Sequence, residues 1–155
     1  MAVRTRIAAK FASTSWAPNL LPQIVALDTR FQKLTRGRLG LVDLAGLPSL
    51  ALTVPGRKSG VLRTTPLLCV PYEGGWLVAG SFFGNPKPPV WVANLRAASK
   101  ATVMSKGTEH QVTWRELEGA DRDRAWATMN DLWPNYDRYE ERAGRVIPVF
   151  HLVPV

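Results

Sequence analysis

Val54-Pro55-Gly56-Arg57-Lys58-Ser59-Gly60-Val61-Leu62-Arg63-Thr64-Thr65-Pro66 is a glycine-bounded basic turn between two apolar, β-branched runs. It predicts a strand, a tight turn and a second strand, because Gly56 and Gly60 reach backbone angles closed to other residues. Arg57, Lys58 and Arg63 stand close together beside the free N–H groups of that turn, an arrangement that suits a phosphate or a carboxylate-rich ligand. An ordinary hairpin with a solvated, charged tip reads the same way, so the rest of the chain has to decide between the two.

Upstream, Leu50-Ala51-Leu52-Thr53-Val54 is the expected first strand. Downstream, Val61 to Tyr72 is a long second strand interrupted at Pro66, where a ladder donor is missing. After the turn Glu73-Gly74-Gly75, a third strand runs from Trp76 to Ser81, and the three form an antiparallel meander. In the stretch Ser81-Phe82-Phe83-Gly84-Asn85-Pro86-Lys87-Pro88-Pro89-Val90-Trp91, Asn85 and the prolines signal entry into a helix on which Trp91, Asn94 and Leu95 share one face. Such a helix start, with Lys87 alongside, offers a positive end to an anion. It serves equally as a capped helix with a core tryptophan.

Ala101 to Ser105 and Glu109 to Leu117 flank Lys106-Gly107 and predict a further hairpin. Asp121 is placed to cap a helix with the apolar stripe Ala125, Trp126, Met129, Leu132 and Trp133, ended by Pro134. Beyond it, Trp133, Tyr136 and Tyr139 recur three apart. On a helical turn their rings line one side with polar tips outward, a wall suited to a flat ring system or, equally, a mixed core-and-surface helix. Val146 to Val153 is a closing apolar strand. Strands outnumber helices, so the fold class is mainly β with helices, an antiparallel barrel whose openings the helices plug.

The chain has 155 residues, of which 46% are hydrophobic, and this falls within the range of one compact domain. Its net charge of +8 is uneven. Arg4, Arg6, Lys10, Arg30, Lys33, Arg36 and Arg38 face a single acidic residue, Asp28, in the first forty positions. Residues 1–40 therefore form a basic N-terminal arm, with an amphipathic helical period from Leu20 to Leu34, and residues 41–155 form the barrel domain. The arm is suited to contact with an anionic membrane surface or to packing on its own domain. Its start is too polar for a secretory signal and no run is long enough to span a bilayer. The single cysteine, Cys69, lies in an apolar run and fits a reducing compartment. The expected location is the cytoplasm, peripheral at the inner face of the cell membrane where the arm engages lipid. His110 and His151 lack partners at ligand spacing, so no metal site is expected. Specific nucleic-acid binding is disfavoured, because the charge is gathered in an arm and the aromatics sit in apolar stripes. The chain has neither a dinucleotide fingerprint nor a P-loop nor a nucleophile elbow.

Three segments together resemble the deazaflavin-dependent nitroreductase family, which includes F420H2-dependent quinone and nitro reductases. They are Gly56-Arg57-Lys58-Ser59-Gly60 with Arg63 and Pro66, then Asn85-Pro86-Lys87-Pro88 leading to Trp91, Asn94 and Leu95, and finally Trp133-Pro134-Asn135-Tyr136 with Tyr139 and Ile147-Pro148-Val149. The resemblance covers roughly residues 45–155. It implies a split β-barrel of the FMN-binding-like kind that holds coenzyme F420, a flavin-like hydride carrier with a phosphate and polyglutamate tail. It further implies that Arg57, Lys58, Ser59, Arg63, Pro66 and Lys87 bind the cofactor, with Trp91 and Asn94 framing its pocket. Ser81 and Tyr136 are implied at the reacting centre, and Trp133, Tyr136, Tyr139 and Leu68 on the substrate side. The activity implied is hydride transfer to a small-molecule acceptor, quinone-like or nitroaromatic. The chain departs from the pattern at Phe82-Phe83, where a Lys or Asn is frequent after the serine, and at Trp133, where a tyrosine is frequent. An FMN enzyme, or a non-catalytic carrier of haem or a lipid-like molecule, is the alternative on the same barrel.

Overall fold

The computed structural model describes residues 46–155 together with Gln23, Ala26, Leu27 and Arg30. Those four N-terminal positions are helical, as the period over Leu20–Leu34 predicts, and exposed, Leu27 of the apolar stripe included, and the rest of the arm lies outside the described residues. Seven strands, β1 (Ser49–Pro55), β2 (Leu62–Leu68), β3 (Val70–Tyr72), β4 (Gly75–Ala79), β5 (Ala101–Ser105), β6 (Thr108–Glu116) and β7 (Val149–Pro154), form one antiparallel sheet. Within residues 46–155 three α-helices accompany it: α1 (Val90–Ala97), α2 (Gly119–Leu132) and α3 (Asn135–Ala143).

The strand order β2-β1-β5-β6-β7-β4-β3 places β2 at one edge and β3 at the other. These two are consecutive in the chain, separated only by Cys69. One bent strand thus belongs to both edges, and the sheet curls to accommodate it, which protects edges that would otherwise template aggregation. The interruption expected at Pro66 falls instead at Cys69. Pro66 sits within β2 opposite Ala51, where an edge strand tolerates a missing donor. At the break, the Cys69 N–H turns to the Pro48 carbonyl at 3.0 Å.

Strand alternation makes two cores. Inside the curl, Leu50, Leu52 and Val54 of β1 meet Ala101, Val103, Val112, Phe150 and Leu152, and α1 closes this end with Trp91, Val92 and Leu95. On the outer face, Val70, Leu77 and Val149 carry α2 and α3 through Ala125, Met129, Trp133, Tyr136 and Tyr139. Arg122 joins α2 to α3, donating to the Glu140 carboxylate at 2.9 Å and to the Ile147 carbonyl at 3.0 Å. The cap of α2 is Glu118 rather than Asp121, which lies in the first turn and pairs with Arg115 and Arg124. Among the described residues no helix is long and apolar enough to cross a membrane.

Candidate functional site

The basic turn is built from two backbone bonds. Gly60 donates to the Gly56 carbonyl at 2.7 Å, and Gly56 donates to that of Val61 at 2.8 Å. Gly60 has φ +69°, a conformation that favours glycine. Ser59 turns its hydroxyl inward to accept the Val61 N–H at 3.2 Å. The turn is then tied to α1. Asn94 is buried, and its side-chain oxygen accepts the Arg57 N–H at 3.1 Å and lies 3.5 Å from the Arg57 guanidinium. Asn94 therefore acts through the turn, positioning it.

Arg57, Lys58 and Arg63 are exposed, with Arg63 opposite Val54 in the ladder, and Lys87 is exposed in the loop before α1. The ion pairs of the described residues join Arg96 to Glu116, Arg115 and Arg124 to Asp121, and Arg122 to Glu140. None of the four site cations has a carboxylate partner among them. Beside them stand exposed apolar side chains, Val61 and Leu62 at the start of β2 and Val90 at the start of α1. Val90 lies one helical turn before Asn94 and so on the same face.

The loop after β4 is the second segment. Gly80 packs so closely that an added Cβ would come within 2.6 Å of Val92 on α1. Ser81, half-buried, opens a tight turn through Phe82, Phe83 and Gly84, all with positive φ (45°, 53° and 81°). Two phenylalanines in the left-handed region are costly, and α3 supplies the fixings. Arg142 donates to the Phe83 carbonyl at 3.1 Å, Arg145 donates to those of Gly80 at 3.0 Å and Asn85 at 3.2 Å, and the Phe83 ring lies 5.8 Å from that of Tyr139. Asn85 in turn accepts the Lys87 N–H at 2.8 Å. Burial lowers the Arg145 pKa from its ordinary value, yet an arginine stays charged. Sequence reading did not single out Arg142 and Arg145. The only available signal was a pair of basic residues around the end of a helix, which normally reads as a complement to the helix dipole.

Trp91 plugs the inner core, its ring 5.7 Å from that of Phe150. One expectation is corrected here. Trp133, Tyr136 and Tyr139 do share one side of the chain, but that side is buried rather than turned outward. The Trp133 indole N–H meets the Tyr139 hydroxyl at 3.3 Å, and the tyrosine rings pack edge to face at 6.2 Å. The reason is that the outer face of β3, β4 and β7 needs an apolar cover, and these rings provide it. Burial pushes the Tyr139 pKa up to about 12, against the Trp133 hydrogen bond and the nearby Arg142 charge. Tyr136 is raised further, by burial first and by Tyr139 and Cys69 after it. Both are therefore neutral phenols. Leu68 and Phe83, half-buried, pack against this outer core, Phe83 meeting it at Tyr139. Pro66 shares the Leu68 face of β2 by alternation, whereas Arg63 lies on the other.

The fold thus gathers the basic turn, the helix entry and the aromatic segment around α1 and the Gly80–Asn85 loop. Comparison with known proteins identifies the family. The family model described as F420H(2)-dependent quinone reductase matches residues 25–154. The chain belongs to that family. It is similar to an F420H(2)-dependent quinone reductase of Mycobacterium tuberculosis, 31% identical over 130 residues that cover 82% of this chain and 87% of that protein. Among solved structures it resembles an F420-H2 dependent reductase, FDR-A, with a TM-score of 0.63 and 34% identity, covering 68% of this chain and 93% of the other. A second, described as a domain-swapped dimer, matches with a TM-score of 0.64 and 31% identity over 80% of this chain and 96% of that one. As a member of the F420H2-dependent quinone reductases, the protein is an oxidoreductase on a split barrel, and coenzyme F420 is its cofactor.

Proposed function

We propose that Arg57, Lys58, Arg63 and Lys87 hold the anionic tail of coenzyme F420 and that the Gly80–Asn85 loop receives the acceptor. The observation that carries this reading is a set of cations with no carboxylate partner among the described residues, two of them on a turn that Asn94 fastens to α1. Four exposed cations fit a phosphate with a polyglutamate chain, and the apolar shelf of Val61, Leu62 and Val90 fits the flat ring that the tail carries. Bound there, the reduced cofactor supplies hydride, so the protein needs no catalytic triad.

The chain's own residues bind, orient and exclude water. Phe83 and Leu68, backed by the buried trio, press a planar quinone or nitroaromatic against the donor. The Ser81 hydroxyl acts as the hydrogen-bond donor to the acceptor oxygen on which negative charge develops, and Arg145 beneath the loop adds a fixed positive charge. Because Tyr136 is held protonated, solvent provides the proton that completes reduction. The basic arm of residues 1–40 brings the barrel to an anionic membrane surface, where lipid-soluble quinones reside.

The test is oxidation of reduced coenzyme F420 by a soluble quinone, run with and without anionic vesicles. Turnover dependent on the quinone supports the reading, and faster turnover with vesicles supports the role of the arm. Reduced F420 left unoxidised by every quinone and nitroaromatic tried would defeat the acceptor assignment.

A further inference from the structure

At the end of the barrel away from the basic turn, the interior is open. A cavity of about 360 Å³ lies among residues of β1, β3, β4, β5 and β6 and the bend at Cys69. The length of β1, from Ser49 to Pro55, separates it from the basic turn, which is about 20 Å of extended chain. Its volume falls in the range of small-molecule sites, about 300–1,000 Å³.

The lining specifies what fits. Trp76 of β4 and His110 of β6 pack on each other at the cavity wall, with ring centroids 5.2 Å apart and planes tilted by 56°. Pro71 and the Cys69 side chain continue this flat, weakly polar wall. Ser105 brings a buried hydroxyl, and Lys106, in the β5–β6 turn, sets an ammonium at the rim. The lining contains no carboxylate, and Glu109, next to His110, points to the other face of β6 by alternation. Stacking surface, hydroxyls and a single cation with no opposing acid are the complement of a planar ring bearing one negative charge.

We propose that this end of the barrel binds a small planar aromatic carboxylate, with its rings against the wall formed by Trp76, His110 and Pro71 and the carboxylate at Lys106. The site is separate from the cofactor site and does not depend on how that site works.

The probe is 2-naphthoate, titrated into the full chain by calorimetry, with neutral 2-naphthol as the control. We expect saturable one-to-one binding of naphthoate. Lys106→Gln should weaken it about tenfold, the scale of one charge-assisted hydrogen bond, and leave naphthol unchanged. Arg57→Ala/Lys58→Ala should leave naphthoate binding intact. Cys69 is the only cysteine of the chain, so its rate of reaction with a disulfide reagent reports on the cavity and should fall when naphthoate is bound. The proposal is overturned if naphthoate does not saturate or if Lys106→Gln binds it as wild type does. Loss of binding in the Arg57/Lys58 double variant, which would place the ligand in the cofactor site, or an unchanged Cys69 rate would overturn it equally.

Discussion

The side-chain oxygen of Asn94 accepts the backbone N–H of Arg57 at 3.1 Å, which fastens a turn of exposed cations to a buried position on α1. This contact spans 37 residues of chain and sets where the cations stand relative to the loop that Gly80 begins, because Gly80 packs on the same helix at Val92.

Asn94→Ala should therefore loosen the turn without unfolding the barrel. The expected stability loss is about 1 kcal/mol, since solvent can reach the freed Arg57 N–H. Affinity for coenzyme F420 should fall about tenfold, while Asn94→Asp, which keeps an acceptor in place but gives Arg57 a carboxylate partner, should restore stability rather than affinity. Tryptophan fluorescence titration and urea unfolding separate the two effects.

Arg57→Ala/Lys58→Ala removes two exposed cations that support no ion pair among the described residues. Thermal stability should stay within about 0.5 kcal/mol of wild type, whereas cofactor binding should weaken by at least about tenfold, with a shallower dependence on salt. Unchanged affinity in this variant would remove the turn from the cofactor site.

Arg145→Ala frees the carbonyls of Gly80 and Asn85. We expect KM for the quinone to rise and kcat to fall, with the F420 dissociation constant nearly unaltered, because the loop and not the basic turn is released. Arg145→Lys can keep the charge but not both bonds, so it should restore activity only in part.

Gly84→Ala would force a side chain into φ +81° with its Cβ 2.9 Å from the Tyr139 carbonyl oxygen. A loss of about 2–4 kcal/mol is expected from backbone strain and overpacking together. Chemical denaturation measures it, and a near-neutral result would show that the loop can shift away from α3.

Tyr139 titrates near 12 in the folded chain against an ordinary value of 10.0. A raised pKa in an acid means that the fold favours the neutral form, so its contribution is complete below pH 10 and is lost as pH rises from about 10 toward 12. The slope approaches about 1.4 kcal/mol per pH unit for one such group. Tyr139→Phe should flatten that alkaline decline, and the activity of the wild-type protein should show no step from this residue below pH 10.

Much of the fold was legible in local pattern. Alternation marked β1 and the β5–β6 hairpin, Lys106-Gly107 marked the turn between them, and glycines bounded the basic turn, because side-chain period and backbone freedom are properties of a few neighbouring residues. The motif segments that resemble deazaflavin-dependent reductases were also readable, and with them the cofactor. Pattern alone could not say that the long second strand bends at Cys69 rather than Pro66, since the bend is set by which two sheet edges that strand must join. Nor could spacing tell whether Trp133, Tyr136 and Tyr139 face a ligand or a core. The same three-residue recurrence serves either, and the outer face of β3, β4 and β7 claimed the rings. Arg142 and Arg145 became anchors of the Gly80–Asn85 loop only once α3 was laid beside it, more than fifty residues away in sequence. The sequence by itself determined the elements, the cationic turn and the family. Tertiary structure decided which of these residues are exposed and which are buried, because burial depends on contacts that local pattern does not contain.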